Sequence, residues 1–228
     1  MKLKKKSGLI SAVIALSCAS LVSVGFASWV IAQGAEQSVT GSIHVEQVTD
    51  GSHTITATWL QGSALNSEAL SGNPVVSFGS NSNAATGWLQ NTDGTPESLV
   101  FYLKVNVANI ADDATFNAKV SSVVMTADDG YGDASTAKYV GALPALNATG
   151  DGKGTIVKGT GQAGASGSWE AVYTITFVWG QHFNYQNPYD YYNAKAAADY
   201  AADAQESLSA LYSDLNGVGF TLTITTIA

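Results

Sequence analysis

The sequence predicts a mainly β protein, a two-sheet antiparallel sandwich of jelly-roll type with one long helix inserted before the last strand. Three observations support this prediction. Apolar and polar residues alternate in short runs after Gln33, and Gly, Asn, Asp and Ser separate these runs. One alanine-rich segment between the last two runs instead repeats its apolar residues every three or four positions. About eight strands are expected, which suits two stacked sheets.

The chain opens with a segment typical of export. Four lysines lie within the first six residues, and 25 residues without a charge follow from Gly8 onward. We interpret residues 1–28 as a signal peptide and residues 29–228 as a single domain. Small residues that suit a signal peptidase at the cut are Ala27, Ser28 and Ala32. The alternative is an uncleaved signal that keeps the chain in the membrane, since 25 residues can cross a bilayer.

The charge balance limits the partners of the exported part. Residues 29–228 contain all 18 acidic residues, no arginine and only six of the ten lysines. Because phosphate binding requires cationic side chains, we expect neither nucleic acid nor anionic lipid as a partner. The single cysteine, Cys18, lies in the predicted signal, so the domain depends on its core without disulfides.

Three segments alternate most clearly and are predicted as strands with one buried face. They are Leu99–Val107, Tyr173–Trp179 and Phe220–Ile224. Less regular runs that are also assigned to strands cover residues 39–48, 53–60, 74–79, 115–126 and 139–143. Residues 80–98 and 127–168 are rich in Gly, Asn, Ser and Asp and are predicted as surface loops.

One helix is predicted over residues 188–215. Asn187 is the expected N-cap, Pro188 suits the first helical position, and Gly217 follows the end. The apolar residues form one stripe: Ala194, Ala197, Ala201, Ala204, Leu208, Leu211 and Leu215. Because alanine is small, this stripe lets the helix lie close to a sheet while its polar face stays in water.

No motif points to catalysis. Gly159–Gly164 matches Gly-x-Gly-x-x-Gly, but we expect a strand after it, whereas a pyrophosphate site needs a helix there. The histidines at 44, 53 and 182 lack zinc-protease spacing, and no Gly-x-Ser-x-Gly occurs. We therefore predict a non-enzymatic protein and assign no catalytic, metal or cofactor-binding residue.

Calcium is the one cation for which the sequence offers a candidate. Asp128–Asp133 places three carboxylates on a predicted loop. The segment lacks the alternating acids and the distal glutamate of an EF-hand loop. An acidic turn without a metal is the alternative, and no cofactor is assigned.

Residues 179–192 form an aromatic cluster between the last strands. Exposed rings beside Asn, Gln and Asp are typical of a sugar-binding face, because a flat ring stacks on a sugar and amides bond its hydroxyls. The candidate ligand face consists of Trp179, Phe183, Tyr185, Tyr189 and Tyr191. In the other interpretation, these rings fill the gap between helix and sheet.

The N-terminal part resembles the TasA and camelysin group of secreted proteins of Gram-positive bacteria. The similarity rests on Lys4–Lys6, the apolar run after it, the element Phe26–Trp29 and the strand Val39–Val45. The resemblance implies export with a specialised signal peptidase, cleavage between Ser28 and Trp29, and a jelly-roll fold.

Members of that group form extracellular fibres of the biofilm matrix, in which the N-terminal strand of one subunit can complete the sheet of the next. The resemblance therefore implies assembly through a strand that contains Val39, Ile43 and Val45. An unpaired strand gains a row of backbone hydrogen bonds at a neighbour's edge. We predict a secreted cell-surface or biofilm-matrix structural protein that assembles with itself or a related matrix protein. The alternative is a carbohydrate-binding surface adhesin that uses the aromatic cluster at 179–192.

Overall fold

The computed structural model describes residues 40–48, 53–78, 98–193, 197–215 and 217–227. The predicted signal peptide at 1–28, its cut between Ser28 and Trp29, and Val39 lie outside these residues.

Ten strands and three α-helices form within the described part of the chain. In chain order they are β1 (Thr40–Val48), β2 (Ile55–Leu60), β3 (Val75–Ser77), β4 (Val100–Ala108), α1 (Asp113–Lys119), β5 (Val120–Ala127), β6 (Ala142–Leu146), β7 (Lys153–Lys158), β8 (Gln162–Ala163), β9 (Ser168–Thr176), α2 (Pro188–Asn193), α3 (Ala197–Leu215) and β10 (Phe220–Thr226). Short 3₁₀ turns lie at Ala165–Gly167 and Gln181–Phe183. Among these described helices, none combines the length and apolar character that a membrane span requires.

All ten strands belong to one mixed sheet that curls into a half-barrel. The order along the sheet is β2-β4-β9-β7-β6-β5-β10-β1-β3, and β8 pairs with β9. β1 runs parallel to β10 and β6 runs parallel to β7, whereas the other pairs are antiparallel. The predicted two-sheet antiparallel sandwich is therefore wrong in the number of sheets and in strand direction.

The error arises at β6 and β7, which lie in the segment 127–168 that was predicted as loops apart from the strand run at 139–143. These strands join the two halves of the sheet through β5 and β9. Without them, the other strands divide into two groups, as in a sandwich. Gly154 of β7 shows why the segment does not look like a strand: a Cβ there would lie 2.8 Å from Pro144 N and 2.9 Å from Ala142 O. The close approach of β6 to β7 requires a residue with poor strand propensity.

Chain connectivity requires the curl. β1 and β2 follow each other in the chain but stand seven places apart in the sheet order. In a flat sheet, strands about 4.8 Å apart would place them about 34 Å from each other. The chain from Val48 to Ile55 spans at most about 24 Å. The sheet must therefore bend until this connection can reach.

The core lines the inside of the half-barrel. Buried residues alternate along β4 and β10, which confirms the predicted faces: Phe101, Leu103, Val105, Val107, Phe220, Leu222 and Ile224. Phe177, just after β9, packs against Phe78, Phe101 and Phe220 with centroid distances of 6.3, 6.1 and 5.0 Å. One ring thus connects three distant parts of the sheet.

The helical region differs in part from its prediction. The sequence predicted one helix over 188–215, and the structure describes two, α2 and α3, with residues 194–196 outside the description. Gly217 follows the end with φ +82°, as expected for a helix stop. The predicted strand 115–126 was wrong in its first part, because Asp112 caps α1 by accepting the Thr115 N–H over 2.7 Å.

Candidate functional site

The predicted assembly strand is β1, and in this structure it belongs to the sheet of its own chain. It pairs in parallel with β10 through six register partners between Ile43 and Val48. On the other side, β3 pairs only with Thr40–Ser42, and Ile43 donates its backbone N–H to Pro74 O over 3.0 Å. β1 is therefore paired with β10 from Ile43 to its end, and its other edge is only partly covered.

The uncovered stretch runs from Val45 to Gln47. Backbone groups of alternate residues in a strand point to the same side. Because Ile43 bonds toward β3, the N–H and C=O groups of Val45 and Gln47 point the same way, and no described strand lies opposite them. β1 contains neither lysine nor proline, and its ladder with β10 has no bulge. Many sheet edges use these devices against strand addition, so this edge is only weakly protected.

The side chains of β1 anchor it unevenly. Ile43 is completely buried, and Val45 is half-buried against the core. Val48, at the other end of the strand, is 50% exposed. Burial of an isoleucine contributes about 1.5–3 kcal/mol. The predicted assembly residues Ile43 and Val45 thus fill the core of their own chain in this conformation.

The other end of the sheet keeps a short open stretch as well. The turn after β2 folds back, with Leu70 N–H donated to Trp59 O over 2.8 Å and Gln61 N–H to Glu68 O over 2.9 Å. By the same alternation, Ile55 and Ala57 direct their backbone groups outward from β2, where no described strand pairs with them. Near both ends of the half-barrel, therefore, some backbone groups have no strand partner among the described residues.

The aromatic cluster mostly fills the space between helix and sheet. Trp179 and Phe183 are buried and contact each other with a centroid distance of 5.5 Å. Phe183 also stacks on Tyr139 at 5.6 Å, and Tyr191 is partly buried against the core. The side chain of Tyr189 lies outside the description. The buried rings offer no free face to a ligand.

Asp203 fastens α3 to this cluster. Tyr192, which is completely buried, donates its hydroxyl proton to Asp203 Oδ2 over 2.8 Å. His182 Nε2 lies 3.1 Å from the same carboxylate. Burial raises the pKa of the Tyr192 hydroxyl far above its usual range, so this tyrosine stays a donor. Ser207 Oγ lies 3.3 Å from the Tyr192 oxygen and donates to Ala204 O over 3.0 Å.

Tyr185 is the exception among the predicted face residues, with 39% of its surface exposed. It follows the 3₁₀ turn Gln181–Phe183 and precedes α2. It borders two cavities of about 480 and 170 Å³. Of the described members of the predicted face, Tyr185 alone is exposed.

Groups of the acidic turn at 128–133 form hydrogen bonds with other residues of the chain. Asp128 Oδ2 accepts the Gly219 N–H over 3.1 Å, and Thr136 donates its hydroxyl to Gly130 O over 3.0 Å. Within the described residues, no three His, Cys, Asp or Glu side chains come close enough to hold a metal ion.

The three histidines have different hydrogen-bond partners and do not share a site. His44 Nδ1 accepts from Asn73 Nδ2 over 2.9 Å, and His53 Nδ1 donates to Ala108 O over 3.2 Å. His182 faces Asp203. The Gly159–Gly164 loop leads from β7 through β8 into β9 without a long helix after it.

Sequence reasoning missed three residues that surround Tyr185: Asp151, Gly152 and Gln181. Gln181 belongs to the aromatic segment, but no pattern separated it from the other amides. Asp151 and Gly152 come from the turn before β7, some thirty positions earlier. Only the fold brings them together.

Comparison of the chain with known protein families, with curated proteins and with solved structures finds no match.

Proposed function

We propose that this chain is an exported, non-enzymatic structural protein of the cell surface or biofilm matrix, whose subunits join by β-strand addition through β1. The partner is a second copy of the chain or a related matrix protein. The observation that carries the proposal is the partly covered β1, which pairs with β10 from Ile43 to Val48 but has no described strand opposite Val45–Gln47 on its other side.

Two routes lead from this strand to a polymer. In strand exchange, β1 leaves its place between β10 and β3, and the β1 of a neighbour makes the same contacts there. Because each strand keeps the same contacts after exchange, the equilibrium between monomer and polymer depends on protein concentration and on the 49–54 connection. In edge addition, β1 stays in place and the open stretch of one subunit pairs with an open edge of the next, such as that of β2. Such a head-to-tail contact builds a filament when the rotation between subunits does not close a ring.

A disulfide lock tests the exchange route. Glu46 and Thr223 are register partners on β1 and β10, and neighbouring strands lie about 4.8 Å apart, within disulfide range. Protein that starts at residue 29 has no other cysteine. Oxidised Glu46→Cys/Thr223→Cys monomer should form no fibres, and reduction should restore them. The reduced double variant is the matched control.

A proline tests the edge route. The Gln47 N–H points away from β10, so Gln47→Pro removes a donor from the open edge and leaves the β10 ladder intact. Glu46→Pro is the matched control that breaks the ladder. Edge addition predicts that Gln47→Pro suppresses fibres while the locked pair does not, and exchange predicts the reverse. Fibres of unchanged yield in both variants, or wild-type protein that stays monomeric at high concentration, contradict the proposal.

The export part of the proposal rests on the opening segment. We expect protein recovered from the medium or cell surface to begin at Trp29. N-terminal mass spectrometry of cell-grown material measures this, and full-length protein found only in the membrane fraction would contradict export with cleavage.

A further inference from the structure

The Tyr185 shelf consists of the Tyr185 ring with Asp151, Gly152 and Gln181 around it. These four residues line the cavity of about 170 Å³, and Tyr185 also borders the larger cavity of about 480 Å³ together with Trp179. The ring thus stands between two depressions of the surface.

The backbone holds Tyr185 in an uncommon conformation. Asn184 and Tyr185 have φ of +52° and +61°. Asparagine adopts this left-handed region fairly often, but a bulky tyrosine rarely does. The Tyr185 N–H is donated to Gly180 O over 3.1 Å, and the Asn184 N–H to Gln181 O over 2.9 Å. A strained residue that is kept in place by its surroundings is typical of ligand-binding positions.

Gly152 forms the support of the ring. A Cβ at this position would lie 2.6 Å from Tyr185 Cε1. Any other residue would therefore push the ring away. Gly150, two positions earlier in the same turn, has no atom within 4 Å of its Cβ position. The turn thus contains one glycine that the ring requires and one that it does not.

Three polar groups of the shelf remain available for a ligand. The Tyr185 hydroxyl, the Gln181 amide and the Asp151 carboxylate make no side-chain hydrogen bond to any residue that the structure describes. Two of these groups donate and all three accept. None of the described residues that line the 170 Å³ cavity is cationic.

We propose that the Tyr185 shelf binds a neutral saccharide. An accessible aromatic face stacks on the apolar face of a sugar ring, and amide, hydroxyl and carboxylate groups bond its hydroxyls. Anionic sugars are disfavoured, because Asp151 and the acidic chain repel them and none of the described residues that line the 170 Å³ cavity is cationic. The site is independent of strand addition through β1.

Titration with cellohexaose, laminarihexaose and chitohexaose, followed by saturation-transfer NMR, measures binding to protein that starts at residue 29. Hexagalacturonate is the anionic comparison. We expect the wild type to bind at least one neutral probe. Tyr185→Gly should weaken that binding about tenfold or more, because it removes the stacking ring.

Two glycine variants form the matched pair. Alanine strains the backbone at both positions, since Gly150 and Gly152 have φ of +104° and +68°. Gly152→Ala should weaken binding about as much as Tyr185→Gly, whereas Gly150→Ala should stay within about twofold of the wild type. The melting temperature of Tyr185→Gly distinguishes a ligand-binding role of Tyr185 from a structural one. Because glycine relieves the backbone strain, we expect the melting temperature to stay unchanged or to rise.

Three results would overturn the inference. One is a wild type that binds none of the neutral probes, or binds hexagalacturonate more tightly than all of them. The second is Tyr185→Gly with wild-type affinity. The third is equal loss of binding in Gly150→Ala and Gly152→Ala.

Discussion

Replacing Asp203 with alanine removes the acceptor that fastens α3 to the sheet. The carboxylate accepts from the Tyr192 hydroxyl over 2.8 Å and lies 3.1 Å from His182 Nε2. Tyr192 is completely buried, so its hydroxyl depends on partners within the chain. The His182 and Asp203 side chains are 21% and 37% exposed, so water weakens the attraction between them.

These contacts set the size of the effect. A hydrogen bond from a buried donor to a charged acceptor contributes about 1.5–3 kcal/mol, and the partly exposed contact with His182 adds about 0.2–1 kcal/mol. The Ser207 oxygen, 3.3 Å from the Tyr192 hydroxyl, can take over part of the lost bond. We therefore expect the free energy of unfolding to fall by about 2–3 kcal/mol, which lowers Tm by about 4–12 °C for a domain of this size.

Glu206→Ala is the matched control on the same helix. Glu206 pairs with Lys138 over 3.2 Å, but their side chains are 70% and 50% exposed. An exposed pair contributes less than about 1 kcal/mol. Thermal unfolding by circular dichroism measures both variants, and a double-mutant cycle with Tyr192→Phe isolates the hydrogen bond. Equal, small shifts for Asp203→Ala and Glu206→Ala would refute the reasoning.

Three further outcomes follow from the packing and the charges. Leu222→Ala should lower the free energy of unfolding by about 2–5 kcal/mol in a urea titration, because Leu222 is completely buried in β10; a loss under about 1 kcal/mol would contradict this. Gly154→Ala should cost about 1–3 kcal/mol by overpacking, while Gly159→Ala, whose Cβ would meet only Val172 O at 3.2 Å, should cost less. The hydrogen bond from Lys158 lowers the pKa of Asp113 below its usual value of 3.8. This bond therefore stabilises the fold above pH about 4 and is lost as the pH falls through the lower folded value. Urea midpoints of the wild type and Asp113→Asn should converge at low pH, and a constant difference from pH 6 to 2.5 would count against the assignment.

The local sequence pattern was sufficient to predict strands that bury one face in the core. Phe101 to Val107 and Phe220 to Ile224 alternate in the sequence and in burial. Gly217 marks the end of α3 as predicted, because its positive φ is a local property. The pairing of β1 with β10 has no such signal, since the two strands come from opposite ends of the described chain and meet only through the sheet order.

In the candidate ligand face, too, local sequence explains some features and only the fold explains the others. Trp179 continues the alternation of Tyr173, Ile175 and Phe177, so its burial follows from residue parity alone. Tyr185 lies in a segment without periodicity, and its exposure depends on two left-handed residues and on a glycine from another turn. Sequence could identify the aromatic segment but not the ring within it that stays accessible.

The two proposals reinforce each other although each rests on different residues. A cavity of about 170 Å³ with one accessible ring is small beside typical ligand pockets of about 300–1,000 Å³, so a single Tyr185 shelf should bind a saccharide weakly. A polymer joined through β1 carries one shelf per subunit, and several shelves on one polysaccharide raise the apparent affinity by about 10²–10⁴ without any new contact. We therefore expect weak binding by the monomer and firmer binding by the polymer. Equal apparent affinity in both forms would mean that assembly hides the shelf or turns it away from the polysaccharide.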